Sequence, residues 1–186
     1  KTINSTEYLN YEDKKFSKSN GVGIFGDDIK KLNIPSDIWR YYLLTIRPEK
    51  NDSVFTWDDF SCKINNELIN NLGNFVNRVV SFTYKNFNKT IPKLNIISED
   101  DIQIISNIHN LVDEYHNNMS KIKLKNGIHN ILELSHLGNQ FINESEPWVT
   151  IKTNNEECKN IINVLIHLVG LLGRLLEPYM PNTSKH

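Results

Sequence analysis

A basic excess is the first thing this sequence lacks. Its 186 residues carry 21 Lys and Arg against 22 Asp and Glu, a formal net charge of −1. That argues against a uniformly cationic nucleic-acid surface. Any RNA contact must be local and draw on shape and stacking rather than bulk attraction. Cysteine is scarce as well. Cys62 and Cys158 stand far apart, with no Cys-x-x-Cys or Cys/His spacing, which leaves no sequence-evident zinc site and fits a reducing compartment. Long apolar runs are missing. The best, Val164 to Leu172, is interrupted by His167 and closed by Arg174. It falls short of the ~20 residues a bilayer span needs, so a core helix and no membrane partner are expected. His109, His129, His136 and His167 have neither metal spacing nor a neighbouring nucleophile, and no Ser-His-Asp or paired-carboxylate set is present, so no metal site is expected. No targeting peptide or internal repeat is visible, and the chain opens on Lys1 rather than Met, as a fragment or processed piece would.

What is present reads as mainly helical. Tyr8 to Tyr11 suits a short strand, and Ser36-Asp37 after Pro35 starts a helix with Ile38, Trp39, Tyr42 and Leu43 on one face. Arg47-Pro48 ends it, because the residue before proline is pushed out of helical geometry. Val54-Phe55-Thr56 is a short extended piece, and Thr56 is an N-cap with Asp58 and Asp59 in the first turn. Phe60, Ile64, Leu68, Leu72, Phe75, Val76 and Val79 then follow helical spacing over a long helix. Gly73 inside it costs about 1 kcal/mol against Ala and implies close backbone packing. Ser98 starts a second helix with Ile102, Ile105, Ile108, Val112, Tyr115 and Met119. A third runs from about Lys123 to Asn143, and a fourth from Asn155 to Leu176, stopped by Pro178 and Pro181. Four long helices with short connections predict an antiparallel bundle. A small α+β piece precedes it, so the division is 1–56 and 57–186.

Two stretches carry chemistry. Lys15-Phe16-Ser17-Lys18-Ser19, followed by Asn20-Gly21-Val22-Gly23, is a short loop with two cations, two hydroxyls and two glycines. Lysine is a compact charge with three donors, suited to polyphosphate oxygens, and the glycines let such a loop close. It is not a Walker loop, which places its glycines before the Lys-Ser/Thr. A solvated loop carries the same residue types. The second stretch is Pro147-Trp148, a tryptophan fixed after proline at a helix–helix break. It is either a plug for the bundle or a stacking platform for an unpaired base, where one base contributes ~1–3 kcal/mol.

The flanks distinguish these readings. With Gly23-Ile24-Phe25-Gly26-Asp27-Asp28 and Ile34-Pro35-Ser36-Asp37-Ile38-Trp39-Arg40-Tyr41-Tyr42, the Lys15–Ser19 stretch resembles the KMSKS loop of class I aminoacyl-tRNA synthetases. The similarity is to methionyl-tRNA synthetases of the eukaryotic cytosolic type. It runs on through Asn70-Asn71-Leu72-Gly73-Asn74-Phe75-Val76-Asn77-Arg78, Gly138-Asn139-Gln140-Phe141, Asn143-Glu144-Ser145-Glu146-Pro147-Trp148 and Leu176-Glu177-Pro178-Tyr179-Met180-Pro181. Nearly the whole chain is covered.

The resemblance implies a cytoplasmic methionine–tRNA ligase that activates methionine with ATP and Mg2+ and charges tRNA(Met). Lys18 is the main cation on the triphosphate and Lys15 assists. Phe16, Ser17 and Ser19 complete the ATP-binding loop, and Gly21 and Gly23 are its hinges. Trp148, seated by Pro147, stacks on the first base of the CAU anticodon. On the preceding helix the amide pair Asn139 and Gln140 is read as supporting that corner or, alternatively, touching RNA. Ser81 and Lys85 align with an Asn and an Arg that read anticodon bases in bacterial relatives, and Lys85 keeps the charge but not the bidentate fork. Asn77 is expected to be structural, and Trp39 and Trp57 to be core. The nucleotide-binding half with its HIGH-type motif is not in the sequence, so these residues alone bind no cofactor and support no reaction. A free-standing tRNA-binding module derived from such a ligase is the alternative, and membership of a larger synthetase complex stays open.

Overall fold

The computed structural model describes residues 3–95 and 97–185. Its first part is a small sheet. Strand β1 (Leu9–Tyr11) pairs antiparallel with β2 (Lys14–Lys15) and parallel with β3 (Ser53–Phe55), in the order β2-β1-β3. The β1–β2 hairpin was not anticipated. Two lysines offer no apolar alternation, and the pairing comes from a tight turn in which Glu12 takes φ of 50°. A single helical turn α1 (Gly26–Ile29) precedes α2 (Ser36–Thr45), which starts and stops where its Pro-Ser-Asp and Arg-Pro signals lie.

Helix α2 touches two apolar cores. Trp39, Tyr42, Ile46, Phe55 and Phe60 form one, roofed by the sheet. Tyr41 belongs to the other, larger core of the helical part, and Ile38 packs against both. The neighbouring tyrosines face opposite cores and each anchors a hydroxyl on the helix that follows. Tyr41 donates to Glu67 at 2.8 Å and Tyr42 to Asp59 at 2.9 Å. Burial first, and then the carboxylates, push both phenols well above their usual range. Asp37, at the start of α2, accepts from Asn182 and Thr183, so the C-terminal residues are strapped onto the same helix.

The long helix appears as expected but with a wide section. It runs as α3 (Trp57–Lys63), a π-helical stretch Ile64–Gly73, and α4 (Asn74–Asn86). Thr56 caps it by accepting from the Asp59 amide at 3.1 Å. Apolar residues four apart drift around a 3.6-residue turn, and wider turns slow that drift. Leu68 and Leu72 therefore stay on the core face. Gly73 serves this geometry rather than contact with another element, because the atom nearest an added Cβ is the Leu68 carbonyl oxygen of its own helix, 3.0 Å away.

Helices α5 (Glu99–Ser120), α6 (Leu124–Ser145) and α8 (Asn155–Leu176) complete the bundle, with a short α7 (Pro147–Thr153) inserted at the expected break. Asp101 and Ser98 close a capping box on α5, which turns Asp101 and Ile104 inward and leaves Ile102 58% exposed. Ile102 therefore is not on the buried face assigned to it. Gly138 of α6 lies against Phe75 and Leu168, bringing α4, α6 and α8 together. By length and composition α8 could cross a bilayer, but Ile162, Leu165, Leu168 and Leu172 are sealed in the core, so it packs as the bundle's central helix.

Candidate functional site

The Lys15–Gly23 loop is fixed at its base and free at its tip. Lys15 ends β2 with its ammonium 5.6 Å from the Tyr8 ring centroid. The next side chain points the other way, as strand geometry requires, and Phe16 packs on Tyr11 at 5.3 Å and Phe25 at 6.1 Å. Tyr11 stacks on Phe55 and accepts from Trp57 Nε1 at 3.1 Å, tying the loop base to the sheet core and to the start of α3. Gly23 is needed there. Its φ is 126°, and a Cβ would lie 2.4 Å from Phe16 Cδ1.

Beyond Phe16, Ser17 and Val22 exchange backbone hydrogen bonds of 2.8 and 2.9 Å, closing a turn in which Gly21 adopts φ of 64°. The Ser17 and Ser19 hydroxyls are 3.3 Å apart. Lys18 stands exposed at the turn, and its ammonium has no ion-pair partner among the described residues. No acid occurs from Lys14 to Gly26. The loop is thus a ready set of cationic and hydroxyl donors. It matches phosphate oxygens and offers no carboxylate to a metal.

The second constellation is built at the α6–α7 corner. Glu146 takes a left-handed conformation (φ 39°, ψ 61°), Pro147 opens α7, and Thr150 donates to the Ser145 and Glu146 carbonyls at 2.8 and 3.1 Å. Pro147 is buried, and the Cys158 thiol lies 3.5 Å from its carbonyl, holding the corner from behind. Trp148 is 42% exposed, so it is not the plug of the bundle.

Its ring faces the Arg78 guanidinium at 5.9 Å. Arg78 in turn donates to Asn139 at 3.3 Å and Asn143 at 2.6 Å, and Asn139 donates to the Asn71 carbonyl at 3.1 Å. Asn139 supports the corner in this way. Gln140 is turned aside, donating to Glu144 at 2.8 Å. Ser81 and Lys85 lie further along α4, three and seven residues past Arg78, on the stripe that begins at Asn74. The Ser81 hydroxyl is spent on Asn77 at 3.2 Å, while Lys85 is exposed. Arg78 is the residue that sequence reasoning passed over. The signal for it was that Asn74, Arg78, Ser81 and Lys85 share one helix face.

Comparison with known proteins places the whole chain in one family. The family model described as tRNA synthetases class I (M) matches residues 1–80. The model described as anticodon binding domain of methionyl tRNA ligase matches residues 91–186, and the chain belongs to this methionyl-tRNA synthetase family. It is 46% identical over 183 residues to the cytoplasmic methionine–tRNA ligase of Xenopus laevis, covering 97% of this chain and 20% of that protein. The figures for the Caenorhabditis elegans enzyme are the same. The chain thus spans about a fifth of the length of the curated relatives it matches. Methionyl-tRNA synthetase of Mycobacterium tuberculosis in complex with methionyl-adenylate superposes with a TM-score of 0.85 at 21% identity. It covers 96% of this chain and 36% of that one, a likeness of fold.

Proposed function

We propose that this chain supplies the nucleotide-clamping loop and the anticodon-reading bundle of a cytoplasmic methionine–tRNA ligase. The observation that carries the reading is the open Trp148 ring, seated on a buried proline and crossed by an arginine that two asparagines orient. A rigid aromatic with one polar edge is the platform an unpaired anticodon base needs. Residues 1–56 form the loop module and residues 57–186 the RNA module. Packing is continuous across that division, since Phe60 sits in the sheet core and the half-buried Trp57 packs against it.

In the assembled ligase the methionine carboxylate attacks the α-phosphorus of ATP and pyrophosphate leaves. Charge builds on the departing oxygens, where preorganised cations lower the barrier. Lys18 meets those oxygens and Lys15 assists. Ser17, Ser19 and the turn amides hold the closed loop, with Gly21 and Gly23 as hinges and Phe16 as its anchor. Mg2+ would be held chiefly by the nucleotide's own phosphates, since the loop offers it no carboxylate, and there it would neutralise charge on the departing oxygens. On the tRNA side Trp148 stacks on the first base of CAU and Arg78 holds the approach. Lys85 contacts the backbone, and Ser81 contributes little beyond its bond to Asn77.

The test uses the 186-residue chain and a hairpin carrying the methionine anticodon. Trp148→Ala should weaken binding roughly five- to a hundredfold, the worth of one stacked base. Replacing the first anticodon base in the RNA should weaken it comparably. Equal binding of the two hairpins refutes anticodon reading. The chain alone should give no methionine-dependent exchange of pyrophosphate into ATP, and detectable exchange refutes the division of labour.

A further inference from the structure

Charge along this chain is uneven over a longer stretch than the anticodon corner uses. From Leu68 to Ser98 there is no Asp or Glu, in a protein with 22 of them, while Arg78, Lys85, Lys89 and Lys93 all fall inside. The π stretch, α4 and the connection to α5 form that segment, and they present amides and cations outward. Tyr84 is 56% exposed in its middle, with the Lys89 ammonium 4.6 Å from its ring centroid. Lys89 reaches back because Asn88 and Lys89 both take left-handed conformations, φ 49° and 63°. The connection is pinned, with Asn163 of α8 donating to the Pro92 carbonyl at 2.7 Å and the Asn95 amide donating to Asn160 at 3.0 Å. The acid that approaches from α8, Glu156, is occupied by Lys159 and the Asn95 side chain.

From this we infer a second nucleobase-stacking site centred on Tyr84, with Lys89 and Lys85 on the adjoining phosphates. It takes an unpaired nucleotide of the tRNA outside the anticodon triplet. The inference rests on the anticodon reading above. Tyr84 lies six residues past Arg78, about 9 Å along the helix axis and on its outer side, within reach of the same RNA loop. A protein partner fits less well. Interfaces are depleted in lysine at their centres, whereas stacked aromatics flanked by cations are how single strands are held without sequence preference.

The experiment measures binding of the 186-residue chain to the methionine anticodon hairpin, and to the same hairpin with its first anticodon base replaced, over a salt series. Tyr84→Ala should weaken both by the same factor, roughly five- to a hundredfold, and Tyr84→Phe should restore binding. Lys89→Gln should reduce the slope of log K against log salt by about 0.7, the signature of one lost single-strand phosphate contact. If Trp148→Ala weakens binding and Tyr84→Ala does not, the second site is overturned and the anticodon reading stands. If the wild-type chain binds neither hairpin, both fall. A Tyr84→Ala loss confined to the methionine anticodon would make Tyr84 part of triplet reading, which also overturns a sequence-blind site.

Discussion

Asp37 offers the sharpest test of how the two cores are held together. It sits in the first turn of α2 at 4% exposure and gathers the C-terminal residues into one carboxylate. Oδ2 accepts from the Thr183 amide at 2.7 Å, the Thr183 hydroxyl at 2.9 Å and the Asn182 amide at 2.9 Å, and Oδ1 accepts from the Asn182 side chain at 3.0 Å. A buried donor left without its acceptor costs about 1–3 kcal/mol, and the tail can partly turn to water, so Asp37→Ala should cost about 2–4 kcal/mol in all. In a domain of this size that lowers Tm by roughly 5–15 °C. Asp37→Asn keeps the oxygen that takes most of the bonds, and the Asn182 amide can rotate to match, so only the charge is lost and about 1–2 kcal/mol with it.

The same carboxylate sets a pH dependence. Burial pushes Asp37 up, but the Thr183 and Asn182 donors outweigh it, and the group rests below its ordinary value. A depressed folded pKa means the contribution is complete above the unfolded value of about 3.9 and is lost as pH falls through the folded one. Thermal melts by circular dichroism from pH 7 to pH 3 should therefore show the wild-type advantage over Asp37→Asn shrinking below about pH 4. An advantage that persists unchanged at pH 3, or an Asp37→Ala protein that melts with the wild type, refutes the strap.

Three further outcomes follow from close contacts. Gly138→Ala would place a methyl 2.4 Å from Phe75 Cζ and 3.0 Å from Leu168 Cδ2. Overpacking of about 1–3 kcal/mol should outweigh the gain of about 1 kcal/mol in helix propensity, seen as a lower denaturant midpoint with m unchanged. Gly23→Ala should dislodge Phe16 and free the loop, so limited trypsin digestion should cut after Lys15 or Lys18 several-fold faster while the overall melt barely moves. Burial pushes the Cys158 thiol up to about 11, whereas Cys62 is exposed. A thiol reagent at pH 8 should titrate one cysteine in the native chain and two after denaturation.

Much of the fold was legible because its signals are local and redundant. Pro35-Ser36-Asp37 and Thr56-Trp57-Asp58-Asp59 state helix starts in capping chemistry, and α8 announces itself by apolar density. The β2 strand was hidden, since Lys14 and Lys15 have no strand character of their own and pair through the Glu12 turn. The π stretch was hidden for the opposite reason. A run of apolar residues four apart reads as a good helix under either winding, and only tertiary contact selects the wider one.

The site divides along the same line. Lys18 and Trp148 stand out as candidates only through the family resemblance of the stretches around them, because a lysine beside glycines equally suits a solvated loop and a tryptophan after proline equally suits a core. Arg78 shows its helix face by spacing alone, but the groups that orient it come from elsewhere. Asn139 and Asn143 lie over sixty residues away on α6, and Trp148 lies beyond the left-handed corner at Glu146. A sequence shows which groups can donate or stack. Which of them share a face of the bundle is decided by α4 and α6 meeting at Gly138, where the missing side chain lets Phe75 in and draws the two helices close enough for an arginine on one to be held by asparagines on the other.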